Sequence, residues 1–203
     1  MTSSDSSSPA CRPFLELGRV DKDLQDAEDS LNPMTVDGKF EGEVIFTPAC
    51  AAQMVYYALS NFISDSVILD KTGLWFGKLG EQVASLYVSN KCEVPRAKNS
   101  GFDLVIEAGE TSYQDMVKNM KRGLIVGAVS CGQPSANGEL SGVAKNSFYV
   151  ENGEIKGAVM ETMINCNLAE MFKNVVSVSK EVLCDGGMVV PYIGVEHVVI
   201  SGK

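Results

Sequence analysis

Apolar and polar positions along the chain change period several times, and each change marks an element. Residues 38–46, GKFEGEVIF, read as a strand that ends in an apolar run. Thr47-Pro48 then opens a helix, with Thr as the N-cap and Pro at the first helical position. Val55, Leu59, Phe62 and Ile63 recur at i, i+4, i+7 and i+8, the spacing of a core-facing stripe. Leu74, Leu79, Val83 and Leu86 suggest a second helix, interrupted by Gly77 and Gly80. Each glycine costs a helix about 1 kcal/mol against Ala. Upstream, residues 12–32 are acidic and weakly helical, with Val20, Leu24 and Ala27 at helical spacing, a segment able to dock on the domain or on a partner.

The second half is mostly β. Residues 102–109, FDLVIEAG, read as a strand. Ser112 and Asp115 form a helix-start signal, and Tyr113, Met116, Val117 and Met120 give that helix one apolar face. Gly123 stands where a left-handed C-cap belongs. Residues 124–132 form the next strand pattern. Strand patterns over 142–150 and 154–164 flank Glu151-Asn152-Gly153, and Asn-Gly suits the positive φ angles of a type I′ hairpin turn. Asn167 and Glu170 cap a short helix whose apolar face is Leu168, Met171, Phe172 and Val175. Residues 175–182 and 188–202 are β again, and Pro191 and Gly194 mark the latter as an edge or bent strand. The sum is an α+β fold: a largely antiparallel, partly barrel-like sheet with helices packed on it. There is no internal repeat and no second domain boundary. Residues 1–14 make a polar, Ser-rich tail expected to be disordered, and 15–203 one domain.

Composition narrows the function. A chain of 203 residues can bury one sizeable core, or two small ones. Its net charge of −9 argues against a nucleic-acid partner. The basic run Lys118, Lys121, Arg122 ends a predicted helix, where cations offset the helix dipole. No apolar run reaches the roughly 18 residues a membrane span needs. The six cysteines form no C-x-x-C pair, and Met1 opens no recognisable leader, so reduced thiols in a cytoplasmic protein are expected.

Candidate chemistry is sparse. His197 is the single histidine, in the strand-like run GVEHVVI, where a half-exposed strand residue is the plain reading. Zinc hydrolases use three protein ligands and an open position, and no H-E-x-x-H or other two-His arrangement occurs. No catalytic residue and no metal ligand set is assigned. A thiol enzyme would have to pair Cys184 or Cys131 with His197 in space. The glycine-dense stretch 123–142 lacks any phosphate-binding motif. Its Gln133, Asn137 and Ser141, with Asn146 beyond it, are candidates for hydrogen bonding an extended peptide or forming an interface.

The stretch RGLIVGAVSCGQPSANGELSGVAKNSFYVENGEIKGAVMETMINCNLAEMFKNVVSVSKEV, with the closing ISGK, resembles the C-terminal region of TldD/PmbA proteins, also labelled modulators of DNA gyrase. ELGRV through GKFEGEVIFTP resembles the central portion of PmbA-type members. The likeness runs from about Leu15 to the end, with a shortened region around 89–101 and no N-terminal domain. It implies a heteromeric zinc metalloprotease acting on peptides, in which a TldD-like catalytic subunit carries zinc on an H-E-x-x-x-H helix plus a cysteine. The PmbA-type subunit lacks that helix. Cys184 falls near the cysteine position and is expected to be vestigial at most. The expected role is a non-catalytic subunit or fragment, without its own cofactor, pairing with a TldD-like chain and a peptide substrate, with a homo-oligomer also open. The alternatives are a stand-alone peptide- or ligand-binding module and the thiol hydrolase. An acidic chain is a poor DNA binder, so any gyrase contact would be protein–protein.

Overall fold

A computed structural model describes residues 20–83, 104–185 and 188–203. The expected tail at 1–14 and the shortening at 89–101 lie outside the described residues, as do Leu86, Cys11 and Cys92. The chain order is α1 (Val20–Asp29), β1 (Lys39–Phe46), α2 (Pro48–Phe62), α3 (Asp65–Leu69), β2 (Leu104–Val105), α4 (Tyr113–Asn119), β3 (Arg122–Val126), β4 (Ala128–Cys131) and β5 (Glu139–Lys145). There follow β6 (Phe148–Glu151), β7 (Glu154–Ala158), β8 (Met163–Asn167), α5 (Leu168–Lys173), β9 (Val175–Asp185) and β10 (Met188–Ser201). The described strands form one sheet in the order β4-β5-β8-β10-β1-β3-β6-β7, with β2 and β9 also on β10. Pairings are antiparallel except β1–β3 and β2–β10. The fold is α+β as the sequence suggests, and the sheet stays open rather than closing into a barrel.

Strand β10 is not at an edge. Its 14 residues carry β9 and then β8 along one side and β2 and then β1 along the other. The sheet accommodates Pro191 through a register shift against β9, where Ser179 Oγ accepts the Tyr192 N–H at 2.8 Å. A second shift, beside Gly194, completes the bend.

Both faces of this sheet are partly covered. On one, α2 and α5 bury Val44, Phe46, Leu124, Val126, Val198 and Ile200. On the other, α4 buries Ile45, Ile125, Val150 and Tyr192 beneath Met116, Val117 and Met120. The buried face of α2 is Cys50, Ala51, Met54, Ala58 and Phe62, a stripe rotated from the expected one, and Ile63 is exposed. Small residues let this helix approach the sheet closely.

Local signals set several boundaries. Ser112 Oγ accepts the Asp115 N–H at 3.0 Å, and Asn167 Oδ1 accepts the N–H groups of Ala169 and Glu170. Thr47 holds the N-cap position of α2, but its hydroxyl donates to the Gly127 carbonyl instead. Asn152 and Gly153 have φ of 53° and 78° and close the β6–β7 hairpin. Their N–H groups donate to the carbonyls of Lys121 and Met120, which end α4. Gly123 is therefore not the cap. It lies in β3, where a Cβ would sit 1.8 Å from the Glu43 carbonyl oxygen of β1. The expected helix over 74–86 is absent from its described part: Gly77 and Gly80 take φ of 76° and 85°, and turns seat Trp75 between Phe62 and Phe172.

Three long strand patterns are split. The first breaks at Gly127, and the other two break at Asn146 and Glu161, both left-handed (φ 49° and 51°). These two corners bind each other through Val159 N–H to Ser147 O and Ala144 N–H to Thr162 O.

Replacing Gly123 with Ala should lower stability by about 3 kcal/mol or more, because backbone stands in the way of the new methyl. Asn167→Ala should cost only about 1 kcal/mol, the worth of one cap. Urea midpoints of the two variants measure the difference.

Candidate functional site

Paired residues on adjacent strands share a face, so the register shows which polar side chains meet. Ser141 of β5 stands opposite Asn165 of β8, Asn165 opposite Val199 of β10, and Val199 opposite Glu41 of β1. Ser141 Oγ donates to Asn165 Oδ1 at 2.6 Å. Glu41 Oε1 accepts from His197 Nδ1, and both side chains are exposed. Polar side chains of four strands thus share the face that α4 leaves open, with Val199 between Asn165 and Glu41.

The row deepens beside the end of α4 into a cleft of about 280 Å³, lined by Glu41, Gly42, Glu43, Asn119, Lys121, Arg122, Glu196 and His197. Glu43 is its half-buried member. Two residues before it, Glu41 is exposed; two residues after it, Ile45 is buried under α4. Glu43 thus sits where the same face passes from water to core. Burial pushes its carboxyl up to about 6, and the nearby charge of Glu196 adds to the shift. His197 is shifted upward by its hydrogen bond to Glu41 and then by that carboxylate's charge. His197 also holds φ at 62°, a left-handed conformation uncommon for a side chain in a strand.

Other sequence candidates scatter. Gln133 and Asn137 lie in the exposed β4–β5 connection, where the Asn137 carbonyl accepts from Asn167 Nδ2 at 2.8 Å and its side chain from Ser135 Oγ. Asn146 lines a separate cavity of about 440 Å³, formed by the two left-handed corners and the chain at Ser30 and Pro33.

The thiol pairs do not form. Cys131 stands opposite Gly142, which stands opposite Ile164 and then Ile200, all on the α2 face, whereas His197 reaches Glu41 on the other. The sheet separates them. Cys184 is exposed and pairs with Val189, eight residues before His197, or roughly 25 Å of extended strand. Cys50, on the buried face of α2, instead neighbours Cys131 and Cys166 of the sheet, with Cys131 Sγ 3.9 Å from Tyr57 Oη. Burial pushes the thiols of Cys50 and Cys166 up to about 12.

Zinc, which the sequence resemblance implies for the assembly, does not fit these donors. No group of three or more His, Cys, Asp or Glu side chains among the described residues can hold a metal ion, and Cys184 has no histidine nearby. Glu43 and its cleft were not anticipated from sequence. The available signal was a glutamate on the inward-running side of a strand, one residue before the apolar run VIF.

A family model described as the PmbA/TldA metallopeptidase C-terminal domain matches residues 94–202, just over half of the chain. No curated protein matches it by sequence. Among solved structures, TldE from Thermococcus kodakarensis is similar with a TM-score of 0.75 and 22% identity, over 90% of this chain and 55% of that one. A protein from Bacteroides thetaiotaomicron, described as a modulator of DNA gyrase, gives 0.76 and 17%, over 90% and 52%. One from Thermotoga maritima with the same description gives 0.75 and 19%, over 94% and 57%. At these identities the structures establish the fold, and the chain spans little more than half the length of each.

Glu43 keeps a proton in the fold up to about pH 6 that the unfolded chain releases near 4.5. Its contribution therefore becomes less favourable as pH rises between those values and levels off above them. Glu43→Gln should stabilise the protein by on the order of 1 kcal/mol near pH 8, discounted for partial exposure, and have no such effect near pH 4. Paired urea titrations test the sign. The thiols give a second check: in the native protein an alkylating reagent should modify Cys184 well before Cys50 and Cys166, as read by peptide mass mapping.

Proposed function

We propose, because the chain belongs to the PmbA/TldA metallopeptidase family through its C-terminal domain, that it acts as a non-catalytic, PmbA-type subunit or fragment of a heteromeric peptidase. A TldD-like partner supplies the zinc and the hydrolytic step, and this chain supplies structure and surface. The observation that carries this reading is the donor inventory. The chain has one histidine, exposed and bonded to Glu41, and its described thiols lie at the contact of α2 with the sheet or at the far end of β9. Hydrolytic zinc needs three ligands that converge, and these residues do not.

Exposed apolar side chains support a partner. Tyr56, Ile63, Ile68, Leu69, Phe76 and Leu79 are all solvent-facing within one stretch of α2, α3 and the turns that follow. The polar row from Ser141 to His197 favours a second role, contact with a peptide held for the partner. Among the described residues no helix is long and apolar enough to cross a membrane.

The isolated chain should carry substoichiometric zinc and leave peptides intact. Mixed with a TldD-type subunit it should co-elute as a stable complex whose peptidase activity a chelator abolishes. Metal analysis, size-exclusion chromatography and peptide turnover read these outcomes. Peptide hydrolysis by the chain alone, with no association to such a subunit, removes the proposal.

A further inference from the structure

Lys145 stands four residues beyond Ser141 on β5, and strand alternation puts the two on the same face of the sheet. Among the described residues it is the one cation lining the cavity of about 440 Å³ between the two left-handed corners. That volume lies within the range of small-ligand sites. Pro33, Val143, Val159 and Met160 supply apolar wall, and Asn146 and Glu161 complete the rim. Glu161 pairs at 2.9 Å with Lys203, which does not line the cavity. The ion pairs among the described residues leave Lys145 out.

Buried groups hold this cavity in shape. Ser147 Oγ donates to the Lys145 carbonyl at 2.8 Å, and Thr162 Oγ1 donates to the Met160 carbonyl at 3.0 Å. Both hydroxyl residues are buried, so each corner is pinned from within. The wall at Pro33 is fixed beside them, because Met34 N–H donates to the Ala158 carbonyl and Met160 N–H to the Met34 carbonyl. Left-handed non-glycine residues such as Asn146 and Glu161 carry a conformational cost, and such residues cluster at binding sites.

We propose that this cavity takes the C-terminal residue of a short peptide, with Lys145 receiving its carboxylate and the apolar walls its side chain. The inference rests on the reading of the chain as a peptide-holding subunit and names the end of the peptide that it holds. A carboxylate fits because the cavity offers one cation whose charge is not taken up, an amide donor on Asn146 beside it, and an acid that already has its own partner. The rest of the face fits the rest of a peptide. Three strand spacings separate Ser141 from Glu41, and four residues separate Ser141 from Lys145. Together they make about 20 Å, the reach of roughly six extended residues. The far end of that path is the cleft where Glu41, Glu43 and Glu196 gather. Lys121 and Arg122 also line it, but Arg122 stacks on Phe40 and donates to Tyr149 Oη. Carboxylates there suit the ammonium at the other end of the peptide.

NMR of the backbone amides, with the full chain titrated by pentaalanyl-leucine, tests the proposal. The peptide should shift the amides of Asn146 and Met160 and, along its path, those of Ser141 and Asn165. Replacing its terminal carboxylate by an amide should weaken binding about tenfold or more, as should Lys145→Gln in the protein, while Lys145→Arg retains it. Acetyl-leucine, which has the carboxylate and side chain without the peptide, should bind far more weakly. Absence of these shifts overturns the proposal, as does equal affinity for acid and amide or undiminished binding by Lys145→Gln. Acetyl-leucine binding as tightly as the hexapeptide also overturns it, since the site then serves a small free acid. The titration uses this chain alone, so its failure is distinct from a failure to associate with a TldD-type subunit.

Discussion

The close approach of two backbones, β1 and β3, together with a space beside β10 that only glycine leaves open, is the constraint on which the rest of this structure depends. No side chain fits between β3 and β1 at Gly123, where even a methyl would run into the Glu43 carbonyl. None fits at Gly194 either, because Ser177 Oγ fills that space. Glycine at these two points lets β10 run as the spine of the sheet, flanked on both sides. It also fixes Glu43, whose carbonyl faces Gly123 and whose carboxyl reaches over Gly194. The one half-buried acid of the cleft is positioned by backbone packing, and burial and the charge of Glu196 raise its carboxyl.

Helix starts and the hairpin turn could be read from the sequence because each depends on only a few neighbouring residues. Ser112 and Asn167 cap N–H groups within three residues of themselves, and Asn152-Gly153 turns the chain between two adjacent strands. Gly123 and Pro191 could not, because each has a local meaning that distant packing overrides. A glycine after a helix suggests a cap, yet Gly123 answers to a strand some eighty positions earlier in the chain. A proline suggests an edge, yet Ser179 supplies the hydroxyl that lets Pro191 sit inside the sheet. The stripe on α2 shifted for a related reason: pattern reading favours large apolar residues, whereas close packing on a sheet favours Ala and Cys.

The candidate chemistry needed register, which a single sequence does not carry. His197 could be recognised as an exposed strand residue, and Ser141 as a polar one. That they belong to one row follows only from four strands pairing in one alignment. The same parity puts Cys131 on the opposite face from His197, and a slip of one residue would reverse it. Alternation within β1 held a partial clue to Glu43, since Glu41 and Ile45 share its face, but where that face passes under α4 depends on a helix seventy residues away.

A sheet used on both faces also limits the chemistry the chain can perform. Cys50 and Cys166 lie on the α2 side, where burial raises their thiols, with Cys131 beside them, and the cleft carboxylates and the histidine lie on the other. Among the described residues, Cys131 and His197 are kept apart by the thickness of the sheet itself, so no side-chain rotation brings them together. Moving them to one face would mean shifting strand register, which would turn Val198 and Ile200 outward and dismantle the core. In the proposed assembly, the reacting groups come from another chain. What remains to this one is the polar face that α4 leaves uncovered, with Glu43 at its boundary.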